Sequence, residues 1–211
     1  MPDPRRPLRS RNTRWAARAS SRLTARGATP NGISIASMGF AGLGALAFWL
    51  SAGALPGARA AWLLLGAVMC QMRLLCNLLD GMVAVEGGRA APDGPFWNEA
   101  PDRVSDVLLL AGAGMAAGLP ALGWAVAALA VSTAYLRELG RAELGAADYR
   151  GPMAKPHRMA ALTLGAVLAA VEALVAASAV VLPLALWIIA AGTGATILRR
   201  SARILNGMRS R

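Results

Sequence analysis

The hydrophobic positions of this chain neither alternate with polar ones at the period of a strand nor form the half-apolar stripe of a surface helix. They run on as long blocks of Ala, Leu, Val and Gly. A helix crosses a bilayer core with about 20 apolar residues. Blocks of roughly that length fall at 33–52, 60–83, 101–118, 121–138, 159–178 and 181–200. Gly118-Leu119-Pro120 separates the third block from the fourth, and Pro183 marks the turn region of the long run 159–198. The pattern predicts an all-α polytopic membrane protein with six transmembrane helices.

Ahead of the first block lies a stretch of another kind. Residues 1–31 carry eight arginines, from Arg5 to Arg26, against one acid, Asp3. Residues 13–24 predict a short amphipathic helix, with Trp15 and Leu23 toward lipid and arginines toward anionic headgroups. A nucleic-acid arm is the competing reading of such a run. It is set aside because the run abuts a membrane span and holds a single aromatic residue, so no nucleic-acid partner is expected. No apolar region with a cleavage site follows the arginines, so a removable signal peptide is not expected. The organisation is then a basic cytoplasmic arm over 1–31 and a transmembrane domain over 32–211.

Charge fixes the expected orientation. Net charge is +11, and the basic residues collect in the arm, in the loops near 85–101 and 139–158, and in the C-terminal tail. The intervening loops offer only Arg59. The positive-inside rule places both termini and the two charged loops in the cytoplasm, in a bacterial-type inner membrane. Cys70 and Cys76, both in one apolar block, read as small buried hydrophobes and not as metal ligands or a disulfide.

Two polar stretches interrupt the apolar pattern. Asn77-Leu78-Leu79-Asp80-Gly81-Met82-Val83-Ala84 ends the second block, and Asp102-Arg103-Val104-Ser105-Asp106 opens the third. An ionisable group at a bilayer costs several kcal/mol unless it is paired or functional. Residues three or four apart share a helix face, so Asn77 pairs with Asp80 and Asp102 with Asp106. One loop joins the two helices, and the four oxygen-bearing side chains are expected to form a box. Hard cations such as Mg²⁺ or Mn²⁺ prefer such oxygens, and one or two of them would clamp a phosphate or diphosphate. Gly81 and Ala84 are small enough to let a ligand approach the backbone.

These residues resemble the CDP-alcohol phosphatidyltransferases, whose signature runs D-x2-D-G-x2-A-R-x8-G-x3-D-x3-D. Asp80, Gly81, Ala84, Asp102 and Asp106 match in order, and Thr29-Pro30-Asn31 before the first span is similar too. Three departures stand out. Asn77 replaces the first aspartate, and Val85 replaces the arginine, with Arg89 one helical turn onward. With Asp102 and Asp106 set on the last two aspartates, the linker before Asp102 is longer than the pattern, and Asn98 stands where the family has glycine. The resemblance implies metal binding by Asp80, Asp102 and Asp106, with Asn77 a weaker ligand. It implies that Asp106 is also the general base and that Gly81 and Ala84, with Arg89, contact the cytidine nucleotide.

The loop Gly151-Pro152-Met153-Ala154-Lys155-Pro156-His157-Arg158 contains the only lysine and the only histidine. Lys155 and Arg158, with Arg137, are candidates to hold an acceptor or lipid phosphate. Arg141 and His157 read as headgroup-facing surface residues. Arg73, on the face of Asn77 and Asp80, is expected to pair with Asp80, Asp106 or a lipid phosphate. Glu138 is expected to pair with Arg137 or Arg141, whereas Glu86, Asp93 and Glu99 read as solvated loop residues. Glu172 has no evident partner in the sequence.

The reading that follows is transfer of a phosphatidyl group from CDP-diacylglycerol to a small polar alcohol, with release of CMP. The basic loop favours a phosphorylated acceptor such as glycerol 3-phosphate or inositol phosphate. The alternative is a non-catalytic or transport-type membrane protein with a degenerate cation or lipid site. Small residues at Gly112, Gly114 and Gly118 suggest close helix packing and a homodimer.

Overall fold

In the computed structural model the described residues are 13–85, 87–88, 92–176 and 178–210. They form seven α-helices: α1 (Arg14–Ala25), α2 (Pro30–Ser51), α3 (Pro56–Val85), α4 (Gly94–Ala116), α5 (Pro120–Leu144), α6 (Lys155–Val175) and α7 (Val181–Arg209). No strand occurs among the described residues. Proline sits in the first turn of α2, α3, α5, α6 and α7, where its missing N–H leaves no intrahelical bond unmade. Gly118 and Gly145 adopt positive φ at the ends of α4 and α5, stopping each helix where a side chain would be strained.

Every predicted span corresponds to a helix, α2 to α7 in order, but their apolar character is uneven. Among the described residues four helices are long and apolar enough to cross a membrane, namely α2, α3, α6 and α7. The expectation of six is therefore shown for four. The physical reason lies in the two that fall short. The first half of α4 carries Glu99, Asp102, Arg103 and Asp106, and α5 mixes Ser132, Thr133, Arg137 and Glu138 into its second half. Their helices also extend well into polar sequence: α4 begins at Gly94, before the expected start, and continues through Pro101.

The surfaces are inverted relative to a soluble protein. Leu43, Leu46 and Trp49 of α2, Leu164, Leu168 and Val171 of α6, and Leu184, Trp187 and Ile188 of α7 are exposed. Apolar faces of this extent require lipid, and the chain is an integral membrane protein. Cys70 and Cys76 are buried and form no disulfide.

The chain divides into two compact units, residues 1–40 with 72–105, and residues 41–71 with 106–211. In the first, Ala16 of α1 packs with Leu78 and Met82 of α3. Arg14, Arg18 and Arg22 follow one another on the exposed face of α1 beside Trp15. Asp93 accepts from the Asn31 side chain at 3.2 Å and from the Trp97 indole at 2.9 Å. Glu99 pairs with Arg103. Asp93 is exposed in the turn before α4, as a solvated loop residue is expected to be, though with these partners; Glu99 instead lies half-buried within α4, and Glu86 lies outside the described residues.

In the second unit, the core is built on Leu109, Leu110, Leu162, Leu182, Leu186 and Ile189. A Cβ on Gly112 would come within 2.8 Å of the Ala45 backbone, and one on Gly114 within 2.5 Å of Gly123 Cα. These two glycines serve packing within the chain, so they do not mark a dimer face. Gly118 is a turn residue.

Glu172 gains the partner its sequence context does not reveal. Its carboxylate accepts from Ser178 Oγ at 2.8 Å and from the backbone N–H groups of Val180 and Val181 at 2.9 and 3.1 Å. Those N–H groups open α7, which has no cap from its own N-cap side chain. Glu172→Ala is expected to cost about 1 kcal/mol, as loss of an N-cap does, read as a lowered thermal midpoint in detergent. Glu172→Gln retains an acceptor and should lose less.

Candidate active site

Of the residues singled out on the second and third predicted spans, Arg73, Asp80, Asp102 and Asp106 are buried and Asn77 is half-buried, and they fall in two groups. The first group lies in the first unit. Arg73, Asn77 and Asp80 follow on α3 at spacings that share one face. Asp80 accepts from Ser34 Oγ of α2 at 2.7 Å and from the Gly81 backbone N–H at 2.6 Å. Asn77 accepts from Ser37 Oγ at 3.2 Å and donates its amide N–H to Asp102 Oδ1. Arg73, 0% exposed, donates to the same Asp102 Oδ1 at 3.2 Å and to the Asp102 carbonyl at 3.1 Å. Arg73 forms an ion pair with Asp102, a partner beside those its spacing suggests, namely Asp80, Asp106 or a lipid phosphate.

The second group lies in the second unit. Asp106, one helical turn beyond Asp102 on α4, accepts from Arg158 Nη2 of α6 at 2.7 Å. Both side chains are almost fully buried, at 3% and 2% exposure. Among the described residues Arg158 Nε and Nη1, both buried, have no hydrogen-bond partner. A buried donor left unpaired costs about 1–3 kcal/mol, which a further acceptor would offset. Lys155 opens the same helix one turn earlier, half-buried, and His157 is exposed.

Arg137 is held otherwise. Its Nε donates to Glu138 at 2.8 Å, and its guanidinium lies over the Tyr149 ring at 5.7 Å. Arg141 also pairs with Glu138, at 3.3 Å, so Glu138 has the partners its spacing predicts. A cavity of about 370 Å³ opens nearby between Gly140, Leu144, Tyr149, Arg150 and Arg203. None of the predicted site residues lines it.

Gly81 and Ala84 are half-buried on the last turns of α3, and Val85 is exposed. Arg89 lies outside the described residues. Three participants are absent from the sequence-based site. Ser34 and Ser37 hold the Asp80 and Asn77 side chains, and their signal is the polar spacing Asn31, Ser34, Ser37 along an apolar helix. Arg200 of α7, buried, donates to the carbonyls of Thr133 and Arg150 at 2.5 and 3.2 Å. It ties the loop before α6 to α5.

The oxygen donors suit a hard divalent cation in type. In number they are sparse: among the described residues no three His, Cys, Asp or Glu side chains gather into a group able to hold a metal ion.

The seven helices define an all-helical membrane fold. The chain is similar in fold to solved structures of phosphatidylinositol phosphate synthase (PgsA1) from Mycobacterium tuberculosis. Against the form in complex with manganese and citrate the TM-score is 0.74 at 20% identity, covering 90% of this chain and 88% of that one. Against the form with CDP-DAG bound it is 0.75 at 20% identity, covering 91% and 94%. The apo form gives 0.71 at 20% identity, covering 89% and 95%. No protein-family model matches the chain, and no curated protein sequence does.

Proposed function

We propose that this chain transfers the phosphatidyl group of CDP-diacylglycerol to a small polar alcohol and releases CMP, as a step of phospholipid synthesis. The observation that carries the proposal is the pair of buried groups, Arg73–Asn77–Asp80–Asp102 and Asp106–Arg158, on a fold shared with an enzyme solved with manganese and with CDP-DAG.

Asp80 and Asp102 are the proposed holders of Mg²⁺ or Mn²⁺, which when bound neutralises the diphosphate. Gly81 and Ala84, with Arg89, are assigned to the cytidine nucleotide. Asp106 is the proposed general base. The acceptor oxygen attacks the phosphatidyl phosphorus, the bond to the CMP oxygen breaks, and the acceptor proton passes to the Asp106 carboxylate. Arg158 and Lys155 are assigned to the acceptor phosphate, with Arg137 beside them at the end of α5.

The Asp106–Arg158 pair supports a phosphorylated acceptor. Arg158 holds one oxygen of the proposed base, Asp106 Oδ2, in an ion pair. A phosphate offers Arg158 acceptors for its unpaired nitrogens and draws it off the base. The same pair is also the observation that favours a non-catalytic reading, in which it is a permanent structural lock.

Six spans, cytoplasmic termini and a cytoplasmic site belong to this proposal, supported by the basic residues of α1, of the loops and of the tail. A homodimer is the proposed assembly, with no face assigned. The test is CMP release by purified protein with CDP-diacylglycerol, Mg²⁺ and acceptors with and without phosphate, and Asp80→Ala as control. Acceptor-dependent CMP that vanishes in the control is expected. Silence with every acceptor, while the lipid still binds, would establish the non-catalytic reading.

A further inference from the structure

We infer that the cavity between α5, the loop before α6 and α7 holds the headgroup phosphate of an anionic phospholipid, outside the residues assigned to phosphatidyl transfer. Its lining, its charge and its depth in the bilayer each point to that class of ligand.

The cavity, about 370 Å³, is walled by Gly140 and Leu144 of α5, Tyr149 and Arg150 of the loop, and Arg203 and Ile204 of α7. A Cβ on Gly140 would meet Ile204 at 3.6 Å, an ordinary contact, so the floor is open because residue 140 has no side chain. The loop is tied down around it. Arg200 donates to the Arg150 carbonyl at 3.2 Å, the Met153 N–H donates to Thr196 Oγ1 at 3.0 Å, and Arg203 pairs with Asp148. The cavity is thus built into the fold, with an apolar floor and a basic mouth.

Residues 137–150 and 199–203 carry six arginines against three acids, Glu138, Glu143 and Asp148. Arg137 and Arg141 share Glu138, and Arg203 takes Asp148. The Arg150 side chain is exposed at the mouth and makes no hydrogen bond or ion pair among the described residues. An anion there gives its guanidinium a partner. A free anion would leave the apolar floor unused, and an acyl chain alone would leave the arginines unused. A lipid phosphate with its glycerol and first methylenes uses both. Depth selects the same ligand. From Val181 to Ile204 α7 rises about 35 Å, at about 1.5 Å per residue. The hydrocarbon core is about 30 Å thick, so a helix entering it near Val181 brings Ile204 to the headgroups. Beside Ile204, Leu205 and Met208 are exposed, which opens that side of α7 to lipid. Basic pockets between membrane helices at this level bind anionic headgroups.

Photolabelling of the full-length protein in phosphatidylcholine nanodiscs tests this without turnover, with phosphatidylglycerol that carries a photoreactive group next to its phosphate. The expected result is crosslinking to peptides holding residues 140–150 and 203–204, competed by unlabelled phosphatidylglycerol and not by further phosphatidylcholine. Arg150→Gln is expected to weaken labelling about fivefold, the share of one arginine at a membrane surface. Gly140→Leu fills the floor and is expected to abolish labelling. Should that variant not fold, Arg150→Gln, at an exposed position, carries the comparison. Labelling only elsewhere, equal competition by phosphatidylcholine, or labelling unchanged in the variants overturns the inference. Displacement by inorganic phosphate where phosphatidylglycerol fails to compete overturns it too, and makes the cavity a site for a soluble anion. CMP release has no part in the readout, so failure here spares the proposed reaction, and a chain silent with every acceptor spares this site.

Discussion

Asp106→Asn is expected to lower CMP release about 10²- to 10⁴-fold, the range general-base catalysis contributes. Asparagine keeps the size of the side chain and still offers an oxygen to Arg158, so the buried partner is not left without an acceptor. What it removes is the ability to take the acceptor proton. CDP-diacylglycerol binding should survive, since no nucleotide contact is assigned to Asp106, and the thermal midpoint should move little. Turnover within tenfold of wild type would remove Asp106 from the base role. A collapse of the midpoint alongside activity would instead make the Asp106–Arg158 pair a structural lock.

The chemistry of the site was more legible in the sequence than its connections. Asn77 with Asp80, and Asp102 with Asp106, are visible because helix period alone puts them on common faces, and because carboxylates against an apolar background are conspicuous. The identity of each partner is not visible. Whether Arg73 meets Asp80, Asp102 or Asp106 depends on how α3 and α4 are rotated and offset, which spacing within one helix does not encode. The guanidinium reaches both the carboxylate and the carbonyl of Asp102, a partner that the spacing alone does not single out. Ser34 and Ser37 were hidden for another reason. Serine is common in membrane helices, where it bonds to its own backbone, and only the partner on α3 shows that these two support the cluster.

Glu172 marks a further boundary of legibility. A search for its partner among side chains fails, since two of its three bonds go to backbone N–H groups at the start of α7. Backbone donors carry no sequence signature, so a capping role across a turn is invisible until the turn is built. The spans are legible in part. Apolar run length predicted six crossings, yet α4 and α5 carry the site's carboxylate and arginine residues in their membrane-length segments. Function enters those helices as polarity, and polarity is what hydropathy subtracts.

Arg158 should separate acceptors by chemistry. Each hydrogen bond to a charged group contributes about 1.5–3 kcal/mol, and Arg158 has two buried nitrogens with no partner among the described residues. Arg158→Met is therefore expected to raise KM for a phosphorylated acceptor about 10²-fold or more, two such bonds being lost together. For an acceptor without phosphate the KM should change little. Arg158→Lys supplies charge but not the fork, and should recover part of the loss. Methionine also leaves Asp106 buried without its cation, which can cost about 3–5 kcal/mol of stability, so the lysine variant carries the comparison if the methionine one does not fold. A structural role alone would lower kcat for both kinds of acceptor equally and leave the KM for the phosphorylated one in place. That pattern would remove the acceptor assignment. A selective KM effect would place the phosphate on α6, and would explain why the helix begins with a lysine and buries an arginine one turn later.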